Sequence, residues 1–341
     1  MFLKIIYILI INILCIAIFK PLASSLKLID IPDYRKKHKE PTAMIGGVVI
    51  YISVILSTLI FDYPDKLNFI IFLSSIIFLI GLLDDIINLG VAIRLIIQFF
   101  ASLIIIIYND LYIIDLGYFT HIGIFYIGFF SVIFTIFSVI SLTNSFNFID
   151  GLDGLAGGLT LISLFSIIVF QFFGYGIEDF EIILVLFLLS LIYWIINMSL
   201  SPFKKIFLGD SGSLLLGFLI SWLLIYFTHT NSRTFHPVLT IWCVSIPVFD
   251  TVSIIIRRLI LKKSIFLPDL LHTHHLLIRK GFSKKSTLFL ILSLSLFLSF
   301  TGLIIFKIFG PLLCLMAYFI LMIFYFIFTY YLMEKKYYLQ K

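Results

Sequence analysis

Eleven apolar runs dominate the chain, at about 2–19, 46–61, 68–83, 92–108, 124–143, 155–173, 181–198, 211–228, 237–256, 287–306 and 311–332. Each approaches or reaches the ~20 residues a helix needs to cross the hydrocarbon core of a bilayer. Runs of this length leave few folds open. In lipid every backbone N–H and C=O must be satisfied within its own segment, which a helix achieves and an irregular chain does not. Composition agrees, with 62% of the 341 residues hydrophobic and only 12% charged, against roughly half and a quarter in soluble domains. The expected fold class is an all-α integral membrane protein of about eleven transmembrane helices, forming a single polytopic domain over 1–341. The first run, Ile5 to Phe19 at its core, reads as a retained helix. No small-x-small cleavage site follows it directly, and many spans lie downstream. A weaker segment at 110–119 reads as a short extracytoplasmic strand or turn. Cys15, Cys243 and Cys314 sit in apolar runs without a CxxC or neighbouring His, and read as packing residues.

Lys and Arg set the orientation, because cytoplasmic loops retain an excess of them. Twenty fall in one set of alternate loops: 20–45, beside Arg94, at Lys204 and Lys205, in 257–286 and in the tail. Four fall in the other set, Lys4, Lys66, Arg233 and Lys307. The N-terminus is therefore expected outside and the C-terminus in the cytoplasm. Every unusual polar motif then faces the cytoplasm.

Asp84-Asp85 closes the third run, as FLIGLLDD. Paired carboxylates at a membrane boundary suit proton handling or cation binding, or form a merely solvated helix end. Asn144, Asn147, Asp150 and Asp153 follow at three-residue intervals, interleaved with Gly151, Gly154, Gly157 and Gly158. These are oxygen donors of the kind that hold hard cations, without EF-hand spacing. Phe207-Leu208-Gly209-Asp210-Ser211-Gly212-Ser213 contains GDSG, but it precedes a membrane span and no β-rich protease domain surrounds it. Asp210 suits Mg²⁺-diphosphate binding, and the helix N-terminus there would favour a phosphate. His272-Thr273-His274-His275 lacks the remote ligand pairs of a zinc site and fits contacts to a diphosphate better. Asp250 lies seven residues before Arg257 and reads as a counter-ion to Arg257 and Arg258. The basic stretch around Arg35 to His38 reads as a headgroup-facing loop.

LLDD at 82–85, NxxNxxDGLDGLAGG at 144–158, FLGDSGS at 207–213 and HTHH at 272–275 together resemble the polyprenyl-phosphate N-acetylhexosamine-1-phosphate transferases, glycosyltransferase family 4. The likeness covers nearly the whole chain. HxHH followed by LLIRKGF is most similar to bacterial members that use UDP-GlcNAc. The resemblance implies eleven helices with the N-terminus out, in a bacterial inner membrane with the site facing the cytoplasm. It implies Mg²⁺ (Mn²⁺ as the alternative ion), a UDP-GlcNAc or related donor, undecaprenyl phosphate as acceptor, and UMP as leaving group. The product would begin O-antigen or other envelope polysaccharide synthesis. No nucleic-acid partner is expected, and a homodimer is compatible with the reading.

By motif position the resemblance assigns Asp210 and Asn147 to the metal, and Phe207 and Asp153 to the uracil end. It places Asp84 near the acceptor phosphate, with Asp85 and Asp150 completing the catalytic carboxylates. Arg258, His272, His274, His275 and His38 would bind substrate. Two departures stand out: Asn88, where relatives carry Lys or Asp, and Leu270-Leu271 before HTHH. The expected reaction is direct attack by the lipid phosphate on the β-phosphorus, with a covalent Asp-phosphosugar route as its rival. A transporter or flippase is the alternative from another class. Transporters usually hold ionisable groups near mid-bilayer, whereas these cluster at helix ends.

Overall fold

The computed structural model describes residues 2–31, 40–120, 122–230, 233–262, 264 and 271–333. Each apolar run falls largely on helix. In chain order these are α1 (Phe2–Leu22), α2 (Gly46–Ser57), α3 (Asp65–Ile87), α4 (Val91–Asn109), α5 (Ser131–Ile149), α6 (Leu155–Phe173), α7 (Phe180–Asn197), α8 (Gly209–Thr228), α9 (Thr240–Cys243), α10 (Ser245–Ile260), α11 (Thr273–Arg279) and α12 (Lys284–Leu332). Among the described residues two antiparallel pairs accompany the helices: β1 (Ile29–Asp30) with β2 (Thr42–Ala43), and β3 (Asp115–Phe119) with β4 (Gly123–Tyr126). The weak segment near 110–119 is thus the first strand of a hairpin.

Among the described residues, eight helices are long and apolar enough to cross a membrane, or nine if the bent α9–α10 pair is one span. The difference from eleven has structural causes. α2 has only 12 residues. α12 continues for 49 residues but is broken at Gly310 (φ 82°, ψ 179°), just before Pro311. The 77° bend between α9 and α10 has a local cause as well. Pro247 has no N–H to donate to the Cys243 carbonyl four residues back. That carbonyl instead accepts from Ser163 Oγ at 2.9 Å.

Large apolar side chains cover the outer faces of the bundle, among them Phe72, Leu79, Phe100, Phe137, Phe297 and Phe324. Such continuous apolar exposure needs lipid beside it, and the chain is a multi-pass membrane protein. α8 runs through the centre, buried from Ser211 to Thr228. Small residues let its neighbours approach closely. A Cβ on Gly47 of α2 would lie 2.3 Å from the Gly212 nitrogen, and one on Gly81 of α3 2.6 Å from the Ser211 Cα. Gly47→Ala is therefore expected to push α2 from α8 and cost about 1–3 kcal/mol. A fall in thermal midpoint in detergent would show it; an unchanged midpoint would mean that the contact can relax.

At one end of the bundle the chain before α2 pairs with the chain before α8. Phe207 N–H donates to Ala43 O (2.8 Å), Gly46 N–H to Phe207 O and Gly47 N–H to Leu208 O (both 2.9 Å). α3 and α5 end here, and α4, α6 and α8 begin here. The four minority basic residues lie at the other end: Lys4 pairs with Asp62, Lys66 O accepts from Asn109, Arg233 pairs with Asp115, and Lys307 donates to Phe173 O.

Candidate active site

The motif loops converge at the end where α2 and α8 are joined. Asp84, in the last turn of α3, is buried. Its Oδ1 accepts from Leu89 N–H at 2.6 Å, and its Oδ2 from Arg94 of α4 at 2.5 Å. The same guanidinium lies 3.7 Å from Asp210 Oδ2. Asn147 Nδ2 donates to Asp210 Oδ1 (2.7 Å) and to Ser213 Oγ (3.0 Å). Asp84, Asn147 and Asp210 thus share one polar cluster around Arg94.

Asp85 turns towards α8. Its Oδ1 accepts from Asp210 N–H (2.7 Å) and its Oδ2 from Ser211 N–H (3.1 Å). The N-terminus of α8, expected to attract a substrate phosphate, is thus capped by the protein's own carboxylate. Gly209 makes this turn at φ +76°, and a Cβ there would meet Asp85 Oδ2 at 2.6 Å.

Asp150 caps the C-terminal end of α5 and is half-buried. Burial, then repulsion from Asp210, Asp85 and Asp153, pushes its carboxyl up to about 8. That shift reports loss of water around the carboxyl first, and the nearby negative charge second. Asp153 pairs with Lys205 at 2.5 Å, and the Lys205 ammonium sits 4.8 Å above the Phe207 ring. Asn197 of α7 holds these loops together, accepting from Gly154 N–H (2.7 Å) and donating to Ile206 O (2.8 Å).

The histidines arrive from α11 and its N-cap. The His272 and His274 rings stack at 5.7 Å, and the His274 and His275 rings lie 4.1 Å apart. A Cβ on Gly151 would fall 2.5 Å from His274 Nε2, so this glycine admits the histidine beside Asp150. Neither His274 ring nitrogen has a partner among the described residues. Burial, with the neighbouring His275 and His272, lowers its basicity to about 3. Asp250 does not act as the expected counter-ion; its carboxylate takes His272 Nδ1 (2.7 Å) and both donors of Thr273. Arg257 donates to Ser253 O and Thr329 O, and Arg258 is buried in the last turn of α10. His38 lies outside the described residues, as does Leu270.

Residues 67–228 match the glycosyl transferase family 4 model. The chain is 34% identical, over 82% of its length and 79% of the relative's, to an undecaprenyl-phosphate alpha-N-acetylglucosaminyl 1-phosphate transferase of Haemophilus influenzae. Similar proteins of the same name occur in Pasteurella multocida (36% identical, 82% and 79% covered) and Escherichia coli K12 (30%, 80% and 75%). This chain belongs to glycosyl transferase family 4.

The oxygen-rich set of this family 4 member, Asp210, Asp150 and the Asn147 amide, has hard-cation chemistry. Among the described residues no three His, Cys, Asp or Glu side chains form a complete metal cage. The two departures have local explanations. Asn88 ends α3 in the left-handed conformation (φ 51°), which Asn tolerates well. Leu271 is buried in a small cluster with Leu276 and Met333. In the sequence Arg94 and Lys205 stand only as loop charges. Arg94 had one available signal, a charge at the start of an otherwise apolar helix.

Asp85 can be separated from Asp84 by substitution. Asp85→Ala is expected to cost about 0.5–2 kcal/mol through loss of the α8 cap, whereas Asp85→Asn keeps one acceptor and most of the stability. If Asp85→Asn melts like wild type yet has no turnover, the carboxylate acts directly in the chemistry.

Proposed function

We propose that this family 4 member transfers N-acetylglucosamine 1-phosphate from UDP-GlcNAc to undecaprenyl phosphate and releases UMP. The observation that carries the reading is the convergence of Asp84, Asp210 and Asn147 around Arg94 at one end of the bundle. The names and coverage of the relatives support it. Family membership gives the transporter alternative no support. The Lys/Arg asymmetry supports a cytoplasmic position for this end, and we read the protein as lying in a bacterial inner membrane, with eleven segments and the N-terminus outside. The product would start O-antigen or another envelope polysaccharide.

A phosphate oxygen of the lipid attacks the β-phosphorus, forming a new P–O bond as the bond to the bridging oxygen breaks, and UMP leaves. A phosphate monoester has a second pKa of about 6, so it is mostly dianionic at pH 7 and needs little help from a base. Asp84 is tied to Leu89 N–H and Arg94, so its main contribution is to hold the guanidinium at the cluster. Arg94 offers positive charge where an anionic phosphate must approach. Lys205 and Phe207 flank Asp153, where the uracil end is assigned.

Mg²⁺ suits this donor set. It is commonly held by one or two carboxylates plus substrate phosphates and water, and a cation would relieve the repulsion from Asp210, Asp85 and Asp153 that adds to burial in raising Asp150. Asp210 and Asn147 Oδ1 would hold it, and it would offset charge on the diphosphate and on departing UMP. The test is UMP release by purified protein given UDP-GlcNAc, undecaprenyl phosphate and Mg²⁺. UMP is expected only with all three. No UMP with any UDP-N-acetylhexosamine would refute the enzyme reading, and one UMP per enzyme without lipid would favour the covalent route.

A further inference from the structure

We propose that Asp250 is a positioning residue for this reaction: it fixes the proton of His272 on Nδ1 and leaves Nε2 as the nitrogen that meets substrate. The proposal rests on the phosphosugar-transfer reading above.

Asp250 is buried about three turns before the end of α10, where a carboxylate is costly unless its lone pairs are used. Here they are. Oδ2 takes His272 Nδ1 at 2.7 Å; Oδ1 takes Thr273 N–H at 2.9 Å and Thr273 Oγ1–H at 2.6 Å. Tyr325 of α12 closes the network, its hydroxyl 2.6 Å from Thr273 Oγ1. One carboxylate therefore joins α10, α11 and α12. The hydrogen bond at one ring nitrogen decides the state of the other, and a carboxylate at Nδ1 selects the tautomer protonated there.

The oriented ring belongs to the site. His272 stacks on His274, which rests on Gly151 beside Asp150, and Phe148 of α5 lies 6.2 Å from His272. No protein partner of His272 Nε2 is present among the described residues. A purely structural role is the competing account, since Thr273 N–H is also the first amide of α11.

The experiment compares wild type, Asp250→Asn, His272→Ala and the double variant. Two readouts are needed: turnover of UDP-GlcNAc, and ¹⁵N spectra of histidine-labelled protein above the ordinary imidazole titration range. His272→Ala assigns the His272 signals. We expect a protonated Nδ1 in wild type that shifts to Nε2 in Asp250→Asn. We expect kcat to fall on the order of 10- to 100-fold in Asp250→Asn, as for other carboxylates that orient functional imidazoles. The double variant should fall no further than His272→Ala. Unchanged His272 signals in Asp250→Asn, or fully additive losses in the double variant, would overturn the proposal. If Asp250→Asn does not fold, the wild-type spectrum decides, because a proton on Nε2 contradicts it. Wild type that shows the Nδ1 proton yet releases no UMP would sink the phosphosugar-transfer reading and leave the Asp250–His272 assignment standing.

Discussion

Replacing Arg94 with alanine is expected to destabilise the protein by about 3–5 kcal/mol and to abolish turnover. Asp84 is buried and Arg94 is its cationic partner, at 2.5 Å. Asp210 lies 3.7 Å from the same guanidinium, and Asp85 follows Asp84 directly. Removing one member of a buried ion pair leaves the other uncompensated, which costs more than the pair itself contributed. Here the loss would leave several carboxylates facing each other in a site where burial and then neighbouring carboxylates already raise Asp150. Arg94→Lys keeps the charge but loses the planar fork and should be intermediate. Thermal unfolding in detergent, read beside UMP release, checks both parts. An Arg94→Ala protein with wild-type stability would show that solvent, and not the guanidinium, compensates Asp84.

Asp210→Asn should have the opposite effect on stability. The amide keeps the shape of the side chain and removes one negative charge from the cluster of Asp84, Asp85 and Asp150. The thermal midpoint is therefore expected to hold or rise. Turnover should fall by about 10²- to 10³-fold, the usual effect of removing one electrostatic stabiliser of developing charge. Stability kept while activity falls is the signature of repulsion retained for function. A variant that loses both would point to Asp210 as a structural residue of the α8 N-terminus.

Much of this architecture was legible in the residues because lipid permits so few backbones. Apolar length alone located the long helices, and the motif-bearing loops between them meet at one end of the bundle. The unread parts depend on contacts distant in sequence. Asp85 looks like a twin of Asp84, and its capping role appears only when residues 125 positions away bring the first turn of α8 to it. Asp250 sits on the helix of Arg257, so helical spacing suggested the wrong partner; the true one comes from α11. Arg94 reaches Asp84 because Asn88 turns the chain sharply between α3 and α4. Hydropathy also does not show that the second run is helical for only 12 residues, or that α12 breaks at Gly310.

The central claim is that phosphorus moves with the sugar. UDP-GlcNAc labelled with ³²P in the β-phosphate, incubated with purified protein, undecaprenyl phosphate and Mg²⁺, tests it directly. The account predicts label in the lipid fraction, one phosphate per sugar, with unlabelled UMP in water. Label left in water as UDP while the sugar enters lipid would contradict it.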